Sequence, residues 1–110
     1  MSRIFLVLLL CFVLSSVTFL SGCDVSAERE LKRAEKALEA AMEVSADAHA
    51  TEDYNSAEEY FQEAVELSND NRVQEARAAA IKAKLKAEDA RNKAEERMRI
   101  LESEMDRLGR

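Results

Sequence analysis

Residues 73–94 read VQEARAAAIKAKLKAEDARNKA, and in them Val73, Ala76, Ala80, Ala83, Ala87, Ala90 and Ala94 recur at alternating steps of three and four. That rhythm puts all of them on one stripe of an α-helix. Lys, Arg and Glu fill much of the space between, and these residues favour helix. An alanine seam lets a neighbouring helix approach closely but buries little apolar area per residue. Ile81 and Leu85 are expected to widen the stripe in its middle. The apolar positions continue at Met98, Leu101, Met105 and Leu108, so one long helix is expected from about Arg72 to Leu108. The step from Ala90 to Ala94 to Met98 is four plus four, a phase change of the kind an eleven-residue repeat makes.

Upstream, two shorter stretches carry the same period. From about Ser26 to Ala48, the positions Ala27, Leu31, Ala34, Leu38, Ala41, Ser45 and Ala48 share one stripe, with Ser26 as expected N-cap. The spacing fails after Ala48, where it would require Thr51 and Asn55. From Ala57 to Ser68 the seam is Ala57, Phe61, Ala64 and Ser68, flanked by Tyr60, Val65 and Leu67. Ser56 to Glu59 fits a capping box, which predicts a helix start at Ser56. Asn69-Asp70-Asn71 then predicts a turn, because short polar side chains compete for backbone partners. The expected fold is all-α: an alanine-rich antiparallel helical hairpin or three-helix arrangement with a long C-terminal helix.

The chain opens differently. Arg3 is followed by an apolar run from Ile4 to Leu14, diluted by Ser15, Ser16 and Thr18. That is the shape of a signal peptide. Ile4 to Leu20 is 17 residues, at the short limit for a membrane span. Leu20-Ser21-Gly22-Cys23 closes the run and resembles a bacterial lipobox. A peptidase cutting before the Cys needs small residues beside the scissile bond, and the Cys thiolate must be free to take a diacylglycerol. The resemblance implies cleavage of residues 1–22, acyl chains such as palmitate on Cys23, and a membrane attachment by lipid rather than by a spanning helix. Residues 23–28 then form a lipidated tether, and 29–110 a helical domain. Asp24, directly after the lipidated Cys, resembles the signal that retains lipoproteins in the inner membrane of enteric-type bacteria. Elsewhere the outer membrane is expected, with the domain in the periplasm in either case.

The totals exclude several function classes. Without Arg3 the 16 basic residues become 15 against 22 acidic, a net of −7, so no nucleic-acid binding is expected. Cys11 leaves with the leader and Cys23 is consumed by lipid, leaving no thiol for a disulfide, a metal or a nucleophile. His49 is the only histidine. His49, Glu52 and Asp53 are close enough in sequence to share a weak cation, but three ligands at a phase break are thin grounds for a metal site. Glu58-Glu59 and Glu95-Glu96 sit side by side on exposed helix rather than converging on a cleft. No Gly-rich phosphate loop is present. No enzyme activity and no cofactor are expected.

Charge is segregated along the chain. Ala37 to Asn71 holds ten carboxylates and no Lys or Arg, whereas Arg72 to Lys93 holds seven bases against three acids. Antiparallel packing of the middle and last helices would make these flanks complementary. The alternative use is an acidic surface for a basic partner.

Three further likenesses bear on function. Asp53-Tyr54, Ala57, Phe61 and Ala64 resemble the second helix of a tetratricopeptide repeat, with Ala41, Val44, Ser45 and Ala48 at the positions of its first helix. No second copy follows, and one repeat does not stack. The turn at Asn69-Asp70 and the ladder Ala76 to Ala94 resemble a family of small, alanine-rich helical envelope lipoproteins of unknown function. Some members of that family are joined to OmpA-like, peptidoglycan-binding domains. The Braun-type lipoproteins, a lipid-anchored coiled coil ending in a wall-linked Lys, are a rival likeness. This chain ends Leu108-Gly109-Arg110, and a guanidinium does not form that link. The expected function is a lipid-anchored, non-enzymatic structural or scaffolding protein of the bacterial cell envelope, with an envelope protein as partner, OmpA-like or peptidoglycan-associated. A tetratricopeptide-like peptide-binding adaptor and a self-assembling homo-oligomeric coiled-coil lipoprotein are the alternatives. Exposed Tyr54, Tyr60 or Phe61 in a concave groove would favour the adaptor, and burial of those rings in the seam the scaffold.

Overall fold

The structure, a computed structural model, describes Arg3 and residues 21–109, with side chains of the first long helix placed from Ala27 onward. The apolar run expected to be a signal peptide lies outside the described residues. Helix α1 spans Ser21–Glu43, α2 is a single turn at Ala46–His49, α3 spans Thr51–Asn69 and α4 spans Val73–Leu108. Among the described residues there is no strand. The chain is all-α with a long C-terminal helix.

The core is made of alanine. Ala34, Ala41, Ala57, Ala64 and the ladder Ala76, Ala80, Ala83, Ala87, Ala90 and Ala94 are all completely buried. Among the described residues, Tyr54 is the only large side chain that joins them as buried. Small seam residues bring three helices close enough for backbone and Cβ atoms to pack directly, which is how so little side-chain volume still excludes water.

Two clusters fix the helix directions. In one, Ala34 of α1 and Ala64 of α3 meet Ala79, Ala80 and Ala83 of α4. In the other, Ala41 of α1 and Tyr54 of α3 meet Ala90 and Ala94. Along α4 the partners rise on α1 and fall on α3. Helix α1 therefore runs parallel to α4, and α3 runs antiparallel to both, giving an up-down-up arrangement. Packing is most extensive between α3 and α4, then between α1 and α4, and least between α1 and α3. The tetratricopeptide-like seam of α3 thus faces α4 more than the helix before it.

The breaks between helices have local causes. Helix α3 ends in a Schellman motif: Arg72 N–H donates to Leu67 O at 2.9 Å and Asn71 N–H to Ser68 O at 3.1 Å, with Asn71 left-handed at φ 60°. The expected turn at Asn69–Asn71 is therefore present. The first break comes earlier than Ala48. Ser45 is left-handed at φ 55° and its N–H donates to Met42 O at 3.0 Å, which ends α1 before Ser45. Ser45 and Ala48 are exposed, and Ala46 takes the buried place instead.

Two expectations about helix ends and one about a buried face are corrected. Ser56 is not an N-cap: α3 begins at Thr51, because Tyr54 N–H already bonds to Ala50 O at 3.0 Å and Tyr54 is packed in the core. Ser26 lies inside α1 rather than at its start. Ile81 and Leu85 do not widen the buried stripe. They are 38% and 54% exposed, because α4 has partners on one face only.

Candidate interaction surfaces

Between α1 and α3, on the side away from α4, the sparse contact of these helices leaves a groove of about 320 Å³. Its floor is apolar, formed by Leu38 and Met42 from α1 and by Tyr54 and Phe61 from α3. Glu35 and Glu39 stand on the α1 rim, Glu58 and Gln62 on the α3 rim. Spacings of three and four align each set on its own helix. No rim residue is cationic, so the negative potential over this groove is not neutralised locally.

Tyr54 closes the floor from within the core. Burial pushes its phenol above the usual 10.0, and the neighbouring Glu58 carboxylate adds to the rise by repulsion and by accepting a hydrogen bond. Tyr60 and Phe61 are half-buried against the cluster at Ala64 and Ala80. The aromatic rings thus serve the seam first, and Phe61 and Tyr54 also present surface to the groove.

The charged flanks of α3 and α4 meet at Asp53. Its carboxylate pairs with Lys93 and lies 3.9 Å from Lys86 Nζ. This hydrogen-bonded pairing holds the Lys93 ammonium above its usual 10.5. Lys82 Nζ sits 5.8 Å from the Tyr60 ring centroid, a cation–π contact on the same side. Among the described residues, Asp53 is the only carboxylate between Ala37 and Asn71 that forms an ion pair. The acidic stretch is complemented by α4 at one point and otherwise faces outward.

Two apolar surfaces lie on α4. Ile81 and Leu85 stand one turn apart on the face opposite the alanine seam, among charges of both signs: Arg77, Lys82, Lys84, Glu88 and Asp89, with Lys84 Nζ 3.9 Å from Glu88. Beyond Ala94 the helix leaves the bundle, and Met98, Leu101, Met105 and Leu108 continue the seam exposed. This overhang is 14 residues, Glu95 to Leu108, or about 21 Å at 1.5 Å per residue.

Cys23 and Asp24, the residues expected to carry lipid and sorting information, fall in the first turns of α1. Among the described residues no group of three or more His, Cys, Asp or Glu side chains is placed to hold a metal. His49 ends α2 and Glu52 lies in the first turn of α3, while Asp53 is engaged by lysines. Glu58 reaches the groove rim and Glu59 does not line it; Glu95 pairs with Arg91 at 2.9 Å. Among the described residues no helix is long and apolar enough to cross a membrane. No protein-family model, no curated protein and no solved structure matches this chain.

The groove was missed by sequence reasoning. The available signal was the pair of acidic positions Glu35 and Glu39 beside the Leu38 seam, one turn apart, with Glu58 in the same relation to Phe61.

Proposed function

We propose that the chain is a lipid-anchored, non-enzymatic scaffolding protein of the bacterial cell envelope, attached through acyl chains on Cys23 with its helical domain in the periplasm. The observation that carries this reading is Leu20-Ser21-Gly22-Cys23 at the end of an apolar run behind Arg3. The fold is compatible with such processing. Cleavage before Cys23 takes only Ser21 and Gly22 from α1, and Ala27, Ala34 and Ala41, which bury its face, all follow the cut. A bundle whose core is small side chains and whose surface is helix faces offers contact area rather than a reaction cleft. Such a module works by holding something in place.

The test is metabolic labelling with a clickable fatty acid, comparing the wild type with Cys23→Ala. Label on the wild type alone supports the anchor, and equal labelling of both defeats it. Asp24 refines the location. In an enteric-type host the protein should fractionate with the inner membrane and Asp24→Ser should shift it outward. Outer-membrane residence of the unmodified chain would refute that assignment.

The adaptor reading keeps one specific support, the groove floored by Leu38, Met42 and Phe61. Burial of Tyr54 and the half-buried state of Tyr60 and Phe61 favour the scaffold.

A further inference from the structure

The groove between α1 and α3 carries one sign of charge on both walls. On α1, Glu35 and Glu39 stand one turn apart beside Leu38 and Met42; on α3, Glu58 stands beside Tyr54 and Phe61, with Gln62 one turn on. Glu35, Glu39 and Glu58 are exposed, and among the described residues none of the three has an ion-pair partner. The bases lie elsewhere. Helix α3 contains no Lys or Arg. On α1, Lys32 is one turn before Glu35 and sits 3.9 Å from Glu28, a further turn away from the groove. The α4 bases Lys82, Lys86 and Lys93 meet α3 on its other flank, through Tyr60 and Asp53, and no α4 residue lines the groove.

The shape asks for a helix. Helices α1 and α3 are antiparallel neighbours that both pack on α4, so a helix laid between them, opposite α4, completes a four-helix bundle. The walls run from Glu35 to Met42 and from Tyr54 to Gln62, about 10–12 Å or two helical turns. A guest with an apolar residue on each successive turn covers Leu38, Met42 and Phe61. Bases one turn apart on one shoulder meet Glu35 and Glu39, and a base on the other shoulder meets Glu58. This chain has no such segment among its exposed faces. The crest of Ile81 and Leu85 has Glu88 and Asp89 beside its bases, and Lys84 is already 3.9 Å from Glu88. The overhang, Glu95 to Leu108, holds five acids against three bases. With a net charge of −6, a second copy brings the groove more acid than base.

We propose that the groove holds a basic amphipathic helix of another protein, seated as the fourth member of the bundle. This rests on the scaffold reading and names what the scaffold holds. The guest's apolar crest supplies the burial. Its Lys or Arg shoulders select this groove over other apolar surfaces, because every charge on the rims is a carboxylate. They also orient the guest, since the α1 wall has two carboxylates and the α3 wall one carboxylate and one amide. The rims are exposed, so salt weakens the contact. The alanine seam is not involved, and the bundle accepts its guest without opening.

The test uses the full chain, purified in a neutral detergent from the membranes of expressing cells, with a photoreactive amino acid in place of Met42, which is 52% exposed at the groove. The probes are fluorescent helical peptides about four turns long: a leucine crest with lysine shoulders, the same crest with glutamate shoulders, and an alanine crest with lysine shoulders. The leucine–lysine peptide should crosslink to position 42, and the other two should bind at least about tenfold more weakly. Glu39→Lys with Glu58→Lys should turn the preference toward the glutamate peptide. Glu59→Lys with Glu63→Lys, the same change of charge away from the groove, should leave the preference as it was. All four positions are exposed, so unchanged helicity and melting temperature show that the variants fold. Equal binding of the lysine and glutamate peptides, equal effects of the two double variants, or a crosslink between two copies in place of the peptide overturns the proposal. Acylation is read on the same preparations, and Cys23→Ala should bind the peptide as the wild type does. A lipidated chain that binds no peptide refutes the docking and leaves the anchor, and binding by a wild-type chain that carries no lipid does the reverse.

Discussion

Asp53 and Lys93 are 40 residues apart in the chain and joined by an ion pair across the α3–α4 interface. Lys86, two turns earlier on α4, approaches the same carboxylate. One acidic side chain thereby ties the start of α3 to two points on α4. Asp53→Asn should lower the melting temperature by a few degrees, and more at low salt than at high salt, because exposed pairs are screened. Lys93→Gln should cost less, since Lys86 remains. Thermal denaturation at two ionic strengths checks both, and an effect independent of salt would point to packing instead.

The alanine seam should reject bulk. Ala80→Leu or Ala83→Leu places a large side chain where the residue is completely buried between helices, at an expected cost of about 1–3 kcal/mol. Leu85→Ala, on the exposed face, should change urea stability by less than about 0.5 kcal/mol. Equal losses at Ala83 and Leu85 would mean that both faces of α4 are covered within one chain.

The two left-handed residues offer a stabilising change. Ser45 and Asn71 adopt φ 55° and 60°. A Cβ costs roughly 1–2 kcal/mol in that conformation, less for Asn. Ser45→Gly should therefore stabilise the chain and Asn71→Ala should destabilise it by about 1 kcal/mol, as measured by urea unfolding.

The Tyr54 phenol should lose its proton at higher pH folded than unfolded. Its raised value means that the native state holds the proton more tightly, through burial first and the Glu58 carboxylate second. The resulting stability is complete below 10.0 and is lost as pH rises through the folded value. In a Tyr60→Phe background, tyrosinate absorbance reports Tyr54 alone. Its midpoint should fall toward 10.0 when the chain is unfolded in urea. Tyr54→Phe should flatten the decline in melting temperature over the same range.

The overhang should be dispensable for folding. A chain ending at Arg97 keeps the whole buried ladder, Ala76 to Ala94. Helicity should drop only by the residues removed, and the melting temperature should shift little. A cooperative loss of structure would show that the exposed Met98, Leu101 and Met105 contribute to the bundle.

The alanine ladder was legible because its period is strict and nothing interrupts it for seven positions, all but Val73 of which are fully buried. The turn at Asn69–Asn71 was legible because Asn tolerates the left-handed conformation that a Schellman motif needs. The break at Ser45 was not, since serine has no particular preference for positive φ. Ser56 misled because a capping box is a local signal. Tyr54 and Ala57 packed in the seam extend the helix past it to Thr51. Ile81 and Leu85 misled because periodicity reports that a face is apolar, not how many neighbours exist to cover it. The groove could be inferred only once α1 and α3 were known to share α4 as their main partner, a relation between segments about 20 residues apart that no single window contains.

The number of helical passes has a mechanical consequence. A chain that goes up, down and up leaves the bundle at the end opposite the one where it entered. Helix α4 is 36 residues, so its tip at Leu108 stands about 54 Å above its own base at Val73, which is level with the beginning of the packed part of α1. A two-pass hairpin with the same residues would have returned the C-terminus to its starting plane. If the N-terminus is fixed as proposed, this topology would act as a strut: it would set a distance, and whatever binds the exposed tip would be kept that distance from the base.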